Sequence, residues 1–254
     1  MLVSARSFAE YRAMFALSDD DLSLRVLDCP GGAASFVALA GARGTDAVAV
    51  DSQYGQGRDR LGELVLREIE HKHAELAANA SSFVWTWFGD VERYTRLRAS
   101  AARTFAADLA ARPDRYVAGS LPGLPFADRS FDLVLSSHLL FSYGAQLDES
   151  FHLAALLDLA RVARHQVRLF PVLLHTSDQR YGALDRLREK LAGHGIPTRL
   201  QQVDYEFQPG GNETLVLDCG AYRPPPRPDP AARPVAATTD PVRWRHLEGT
   251  RPPG

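Results

Sequence analysis

Two aspartates, Asp28 and Asp51, each close a short apolar run, Leu24-Arg25-Val26-Leu27 and Ala47-Val48-Ala49-Val50. Between them lies a turn of small residues, Cys29-Pro30-Gly31-Gly32-Ala33-Ala34-Ser35. Acids at the carboxyl ends of two adjacent parallel strands, with a glycine turn after the first, mark a nucleotide-binding crevice. The turn lets backbone N–H groups approach a ligand, and the second acid can accept both hydroxyls of a ribose. A pyrophosphate would need G-x-G-x-x-G, which sets a helix N-terminus against it. Pro30-Gly31-Gly32-Ala33-Ala34-Ser35 does not supply that pattern, so a ligand without phosphate fits better. Further on, His138 follows another apolar run and offers a group able to hold or move a proton.

The elements that must position these residues follow from periodicity. Phe8, Tyr11, Phe15 and Leu17 give a short amphipathic helix within residues 4–21. Strand 24–28, the small-residue turn, a helix over 37–42 and strand 47–51 make a βαβ unit, which implies a parallel sheet. Residues 52–115 are too long for an ordinary crossover. They hold two helical patterns, Leu61-Val65-Ile69-Lys72-Leu76 and Val91-Tyr94-Leu97-Ala101-Phe105, around the aromatic stretch 82–90. They read as a helical insertion on top of the sheet. Strands are expected at 115–118, 131–135, 167–174, 198–207 and 213–220, with helices at 151–164 and 184–194. Pro209-Gly210-Gly211-Asn212 signals a hairpin, so the last strand pair is antiparallel. From Tyr222 to Gly254 prolines accumulate without apolar period, which reads as a disordered tail.

Composition narrows the classes. The 254 residues include 45% hydrophobic and 24% charged side chains, an ordinary globular balance. The formal charge of −2 argues against a general nucleic-acid coat. Two cysteines, Cys29 and Cys219, are too few for a disulfide framework or a cysteine-based zinc site, so a reduced cytoplasmic setting is expected. No apolar run approaches the roughly 18 residues of a membrane span, and no signal peptide opens the sequence. No metal constellation is visible.

With these residues in view, Val26-Leu27-Asp28-Cys29-Pro30-Gly31-Gly32-Ala33-Ala34 resembles the first motif of class I S-adenosylmethionine-dependent methyltransferases, D-x-G-x-G-x-G after a strand. Val50-Asp51 resembles their ribose-binding acid. The run Ser120 to Val134, containing Leu124-Pro125-Phe126-Ala127-Asp128-Arg129-Ser130-Phe131-Asp132, resembles their adenine loop and fourth strand, commonly G-D-A-x-x-L-P-F-x-D-x-S-F-D-x-V, and is the most specific signal. The match covers roughly residues 24–220. Pro30 and Ala34 replace motif glycines, and Ser120 replaces the usual adenine-loop acid. The turn resembles that of a bacterial subgroup with D-C-P-G-G or D-C-P-A-G at this place. The resemblance implies an α/β, Rossmann-like doubly wound sheet, seven-stranded and mostly parallel, with an antiparallel last strand. It implies a catalytic domain over 1–221, with a helical lid at 1–23 and the insertion at 52–115, and S-adenosyl-L-methionine as cofactor. Asp28, Pro30, Gly31, Gly32, Ala33, Asp51, Ser52, Ser120, Leu121, Ser136 and Ser137 would hold that cofactor, with S-adenosyl-L-homocysteine as its product.

His138 and Tyr143 are the candidate bases for an acceptor that must lose a proton; His138 can equally be a positioning donor or a packed core residue. His71 and His73 lie two apart on a helix and point to different sides, so they read as solvated. His175 can reach the crevice or serve structure. Trp85, Trp87 and Phe88 either anchor the insertion or wall a substrate pocket. Arg93, Arg96, Arg98 and Arg103 read as a solvated face, with an anion clamp as the sharper reading. The function expected is methyl transfer to a small-molecule acceptor, with no membrane partner and a homodimer compatible with the sequence. The alternatives are an inactive S-adenosylmethionine-binding regulator, favoured by the degenerate turn, and a nicotinamide oxidoreductase.

Overall fold

A computed structural model describes residues 5–57, 60–67, 76, 78–175 and 177–226. The helices are α1 (Phe8–Met14), α2 (Phe36–Gly41), α3 (Val91–Ala111), α4 (Glu149–Val162) and α5 (Leu184–Gly193), with a further helical stretch at 60–67. The strands are β1 (Val26–Asp28), β2 (Ala47–Asp51), β3 (Tyr116–Ala118), β4 (Phe131–Ser137), β5 (Ala163–Phe170), β6 (Thr198–Gln202) and β7 (Glu213–Asp218). They form one seven-stranded sheet in the order β3-β2-β1-β4-β5-β7-β6. Neighbours from β3 to β5 pair in parallel, and β7 runs antiparallel to both β5 and β6. The chain winds outward in opposite directions from β1 and β4. The carboxyl ends of those two strands are therefore the switch point where open α/β sheets bind ligands. Asp28 sits there, in register with Ala49 and Leu135.

Alternation along the strands splits the core in two. Leu27, Val134 and Val167 face α4 and α5, among Leu156, Leu159, Leu187 and Leu191. Val26, Leu133 and Leu135 face the other side, with Phe15, Phe36, Val37, Phe105 and Leu109 from α1, α2 and α3. Helix starts are capped locally. Ser7 and Glu10 form a reciprocal capping box on α1, Asp90 accepts from the Arg93 N–H, and Asp148 accepts from the Phe151 N–H.

Several sequence expectations are corrected. β5 ends at Phe170 rather than residue 174, because Pro171 has no N–H to continue the ladder; Leu173 makes only an isolated bridge to Arg180. β6 stops at Gln202 rather than Phe207. α3 is not a cap on top of the sheet. It runs as the crossover helix between β2 and β3, packs on α2 and buries Ala101, Ala102, Phe105 and Leu109. The arginines of α3 are not one solvated face: Arg96 and Arg103 are exposed, but Arg98 is only 7% exposed. Its guanidinium pairs with Glu10 at 2.8 Å and lies over the Tyr94 ring. Ile69, Lys72, His71, His73 and the segment 227–254 lie outside the described residues.

The N-terminal segment is tied to the sheet by Arg168 of β5. Its guanidinium donates to both carboxylate oxygens of Asp21, at 3.0 and 2.8 Å, and to the Phe15 carbonyl at 2.9 Å. Burial alone would raise the Asp21 pKa, but hydrogen bonds from Arg168 and Ser18 together with the Arg168 charge hold it below the usual carboxylate value. A depressed folded-state pKa stabilises the fold above the unfolded value, and that contribution is lost as pH falls through the folded one. Asp21→Asn is therefore expected to lower the melting temperature at neutral pH and to bring it closer to wild type below about pH 4. A wild-type-to-variant gap that stays constant with pH would contradict this.

Candidate active site

The turn after β1 is held by its own backbone. The N–H groups of Cys29, Gly31, Ala34 and Ser35 donate to the carbonyls of Leu135, Val50, Gly31 and Arg6 at 2.9–3.2 Å. The Gly32 N–H donates to Asp51 Oδ2 at 3.0 Å, and the Tyr54 hydroxyl donates to the Gly32 carbonyl at 2.8 Å. Gly32 has φ +53°, the left-handed region that glycine enters at little cost. A Cβ on Gly31 would stand 2.5 Å from the Tyr54 hydroxyl and 2.6 Å from the Ala49 Cβ, so packing alone requires glycine there. The Gly32 N–H is thus committed to Asp51. Ala33 is buried in the core beneath the turn.

Asp51 also accepts the Gln53 N–H at 2.9 Å and is 3% exposed, so it belongs to the framework of the turn as well as to the crevice wall. Burial raises its pKa, opposed by the Gln53 and Gly32 N–H groups. Asp28 is buried beneath α1, with the Tyr11 hydroxyl 3.0 Å from each of its oxygens. Burial pushes its pKa well up; the Tyr11 hydrogen bond opposes this and the nearby Asp51 charge adds to it. Beside these acids opens a cleft lined by Cys29, Pro30, Val50, Asp51, Ser52, Gly119, Ser120, Leu121 and Leu139. Five of these, Pro30, Asp51, Ser52, Ser120 and Leu121, were singled out in the sequence. Cys29, Val50 and Gly119 were not; each lies at or next to a strand end, which is the signal that could have found them.

The loop behind Ser120 is fixed from below by α4. Asp158 Oδ2 accepts the N–H groups of Gly123 and Leu124 at 2.6 and 2.7 Å, and Oδ1 accepts from Arg161. Arg161 in turn donates to the carbonyls of Phe126 and Leu124 and to Asp128. The Asp128 of the L-P-F-x-D-x-S-F-D segment thus points at Arg161.

Beyond the cleft, β4 carries on to Ser136 and Ser137, both buried, and then to His138. His138 has φ +50°, a conformation uncommon for a residue with a side chain and concentrated at functional positions. Its Nδ1 lies 2.8 Å from Ser137 Oγ, and its ring rests on Phe170. Burial, then the charges of Arg6 and Arg98, hold its pKa well below the usual histidine value, so the imidazole is neutral at neutral pH. Tyr143 is half-buried and stacks on the exposed His175. Burial raises the Tyr143 pKa against the Arg6 charge, which keeps its phenol a donor.

The aromatic stretch crosses toward the loop after β6. The Val84 N–H donates to the Phe207 carbonyl, Phe83 stacks on Phe207, and Trp87 lies against Tyr205. Phe88 is wholly buried and Trp85 donates its indole N–H to Ala80, so these two serve as anchors. Trp87 is half-buried. Tyr205 donates to Glu10 at 3.2 Å, joining this loop to α1 and, through Arg98, to α3.

No family model matches the chain. An uncharacterized protein of Methanocaldococcus jannaschii is 28% identical over 213 residues, 84% of this chain and 93% of that protein. Among solved structures, magnesium protoporphyrin IX methyltransferase from Synechocystis PCC 6803 with bound SAM overlaps at TM-score 0.43 and 13% identity, over 83% of this chain and 77% of that one. A SAM-dependent methyltransferase from Aquifex aeolicus overlaps at TM-score 0.29 and 12% identity, over 53% of this chain and 78% of that one. The architecture stands on this chain's own strand order. Among the described residues, no helix is long and apolar enough to cross a membrane.

Proposed function

We propose that the chain is a cytoplasmic methyltransferase that binds S-adenosyl-L-methionine in the cleft beside Asp51 and methylates a small-molecule acceptor. One observation carries this reading: the N–H groups of Cys29, Gly31, Gly32, Ala34 and Ser35 donate to protein oxygens, which takes most of the turn's donors away from a pyrophosphate. A phosphate-free nucleoside suits such a site, and a dinucleotide does not. The donor set fits the group. Val50, Leu121 and Leu139 offer apolar walls for a base, and Asp51 offers carboxylate lone pairs for ribose hydroxyls. When bound, the cofactor supplies a methyl group on a sulfonium, already a good leaving group.

The chain's own contribution is alignment and exclusion of water. α1 and the loop 83–88, joined through Glu10, Arg98 and Tyr205, are proposed to cover the methyl-transfer end as one lid. In the tautomer whose Nδ1–H donates to Ser137 Oγ, Nε2 is left to accept the proton of an acceptor hydroxyl or amine. The decisive experiment is calorimetry with S-adenosylhomocysteine, S-adenosylmethionine and NADH. Binding of the first two and not the third is expected, and binding of NADH alone would overturn the reading.

The state of His138 sets the pH profile. Its pKa is depressed, so it stays a free base as pH falls through the ordinary histidine value near 6.5. Methyl transfer is expected to stay level from pH 8 through about 6 and to fall only below that. His138→Asn is expected to lower kcat by roughly 10²–10⁴ with little change in cofactor affinity. A rate that halves near pH 6.5 in wild type, or an unchanged kcat in the variant, would remove His138 as the base.

A further inference from the structure

Tyr54 follows Asp51 on the short helical turn Ser52–Gln56, which Asp51 caps by accepting the Gln53 N–H. This turn brings the phenol back across the end of β2 and onto the glycine turn after β1. Its hydroxyl donates to the Gly32 carbonyl at 2.8 Å and fills the space in which a Cβ on Gly31 would stand. The paired glycines of Pro30-Gly31-Gly32 thus answer two demands: Gly31 makes room for this hydroxyl, and Gly32 takes φ +53°. Gly32 is bonded through both of its peptide units. Its N–H donates to Asp51 Oδ2 at 3.0 Å, and its carbonyl accepts from Tyr54. We infer that Tyr54 is a positioning residue for the ribose acid: its hydroxyl steadies the Gly32 backbone, and the Gly32 N–H in turn aims the Asp51 carboxylate. The inference rests on the methyltransferase reading, in which Asp51 meets the ribose, and extends that site to a side chain outside the residues that line the cleft.

The ring is clamped so that the hydroxyl stays in place. It stacks on Phe105 of α3 with centroids 6.1 Å apart and meets the Tyr116 ring of β3 edge-on at 5.5 Å. Phe105 is wholly buried, and the Tyr116 hydroxyl donates to Asp108 at 2.8 Å, so both supports are themselves fixed. A tyrosine has two side-chain torsions, and packing of its ring between a helix and a strand leaves little freedom in either. Burial, then the Asp51 and Asp28 charges, push the Tyr54 pKa well up. The phenol therefore keeps its proton and remains a donor to Gly32. Glycine has no Cβ to restrict its backbone, so Gly32 is kept in one conformation by its bonds and not by its residue type. Each Asp51 oxygen carries one amide, from Gly32 or from Gln53. A hydroxyl that steadies the first of these donors steadies the geometry a ribose diol must match, and a site loosened by about 1 Å loses its discrimination.

Tyr54→Phe removes one oxygen and keeps the ring against Phe105 and Tyr116, which separates positioning from packing. Wild type and variant, as full chains, are titrated with S-adenosylhomocysteine, with adenosine and with 2′,3′-dideoxyadenosine, which lacks the diol. Exchange of the Gly32 amide is followed by NMR in the unliganded proteins. In Tyr54→Phe that amide is expected to exchange about tenfold faster, because its opening no longer has to break the Tyr54 bond. The preference for adenosine over the dideoxy nucleoside is expected to fall roughly three- to tenfold, with dideoxyadenosine bound as in wild type. 4-Aminophenylalanine at position 54 keeps the ring and returns a donor, so it should restore both readouts, which a role for the ring alone would not require. Gly32 exchange at the wild-type rate, a preserved ratio of the two nucleoside affinities, or a Tyr54→Phe chain that no longer folds overturns the inference, since the hydroxyl then serves stability and not the aim of Asp51. Failure of wild type to bind S-adenosylhomocysteine overturns the methyltransferase reading instead, and Gly32 exchange in the unliganded proteins then still decides whether Tyr54 steadies the donor to Asp51.

Discussion

Asp158→Ala is expected to lower folding stability by about 3–5 kcal/mol and the melting temperature by roughly 6–20 °C. The side chain faces no ligand; its importance lies in what it holds. Its oxygens accept two loop N–H groups, from Gly123 and Leu124, and pair with Arg161 at 2.7 Å. Arg161 and Asp158 side chains are 11% and 10% exposed. Alanine at 158 leaves the guanidinium buried with only part of its partner set and takes the acceptor from the buried Leu124 amide, the costly way to break an ion pair. The loop so released carries Ser120 and Leu121, which line the cleft, so S-adenosylhomocysteine affinity should fall as well. Asp158→Asn keeps one acceptor oxygen and should lie between. Calorimetric melting with and without ligand checks both effects. A melting temperature within about 2 °C of wild type would show that the loop is held by other means.

This network also marks how far a sequence can be read. The segment Leu124 to Asp132 was identifiable as the loop leading into the fourth strand, and the mostly parallel sheet was implied by the same resemblance. The partner of Asp128 was not visible, because Arg161 lies 33 residues further on and nothing in a helix pattern tells a buried arginine from a solvated one. Arg98 was misread for that reason: its spacing on α3 is that of a polar face, while its carboxylate comes from α1. One clue was present and unused. Ser7-Phe8-Ala9-Glu10 is a capping box, which fixes the start of α1 and hence where Glu10 must stand. The βαβ unit and Asp51 were legible because parallel strands and their end positions follow from local pattern. The ends of β5 and β6 were overrun because apolar residues continue past them. The left-handed backbone of His138 belongs to the sheet edge and not to the residue type.

Asp51 holds the turn after β1, the proposal gives it the ribose as well, and its replacement should separate the two. If it accepts two ribose hydroxyls, Asp51→Ala loses about 1.5–3 kcal/mol of binding for each charged hydrogen bond, or roughly 10²–10⁴-fold in affinity for S-adenosylhomocysteine. The fold will not be indifferent, as a simple strand-end acid would allow. At 3% exposure the carboxylate also holds the N–H groups of Gly32 and Gln53, and leaving them without a partner costs about 1–3 kcal/mol each. A drop in affinity could then come from a collapsed turn as readily as from a lost ribose contact. Changing the ligand separates the two. Wild type should prefer adenosine to 2′,3′-dideoxyadenosine strongly, because the latter leaves the Asp51 oxygens facing nothing. Asp51→Asn keeps one oxygen for the turn and replaces the other by an NH2 group, so it should fold closer to wild type while losing most of that preference. If it binds both nucleosides more weakly but preserves their ratio, Asp51 acts only through the turn and the ribose must be held elsewhere along the cleft. If the ratio collapses toward one while the melting curve stays near wild type, the carboxylate is the ribose ligand.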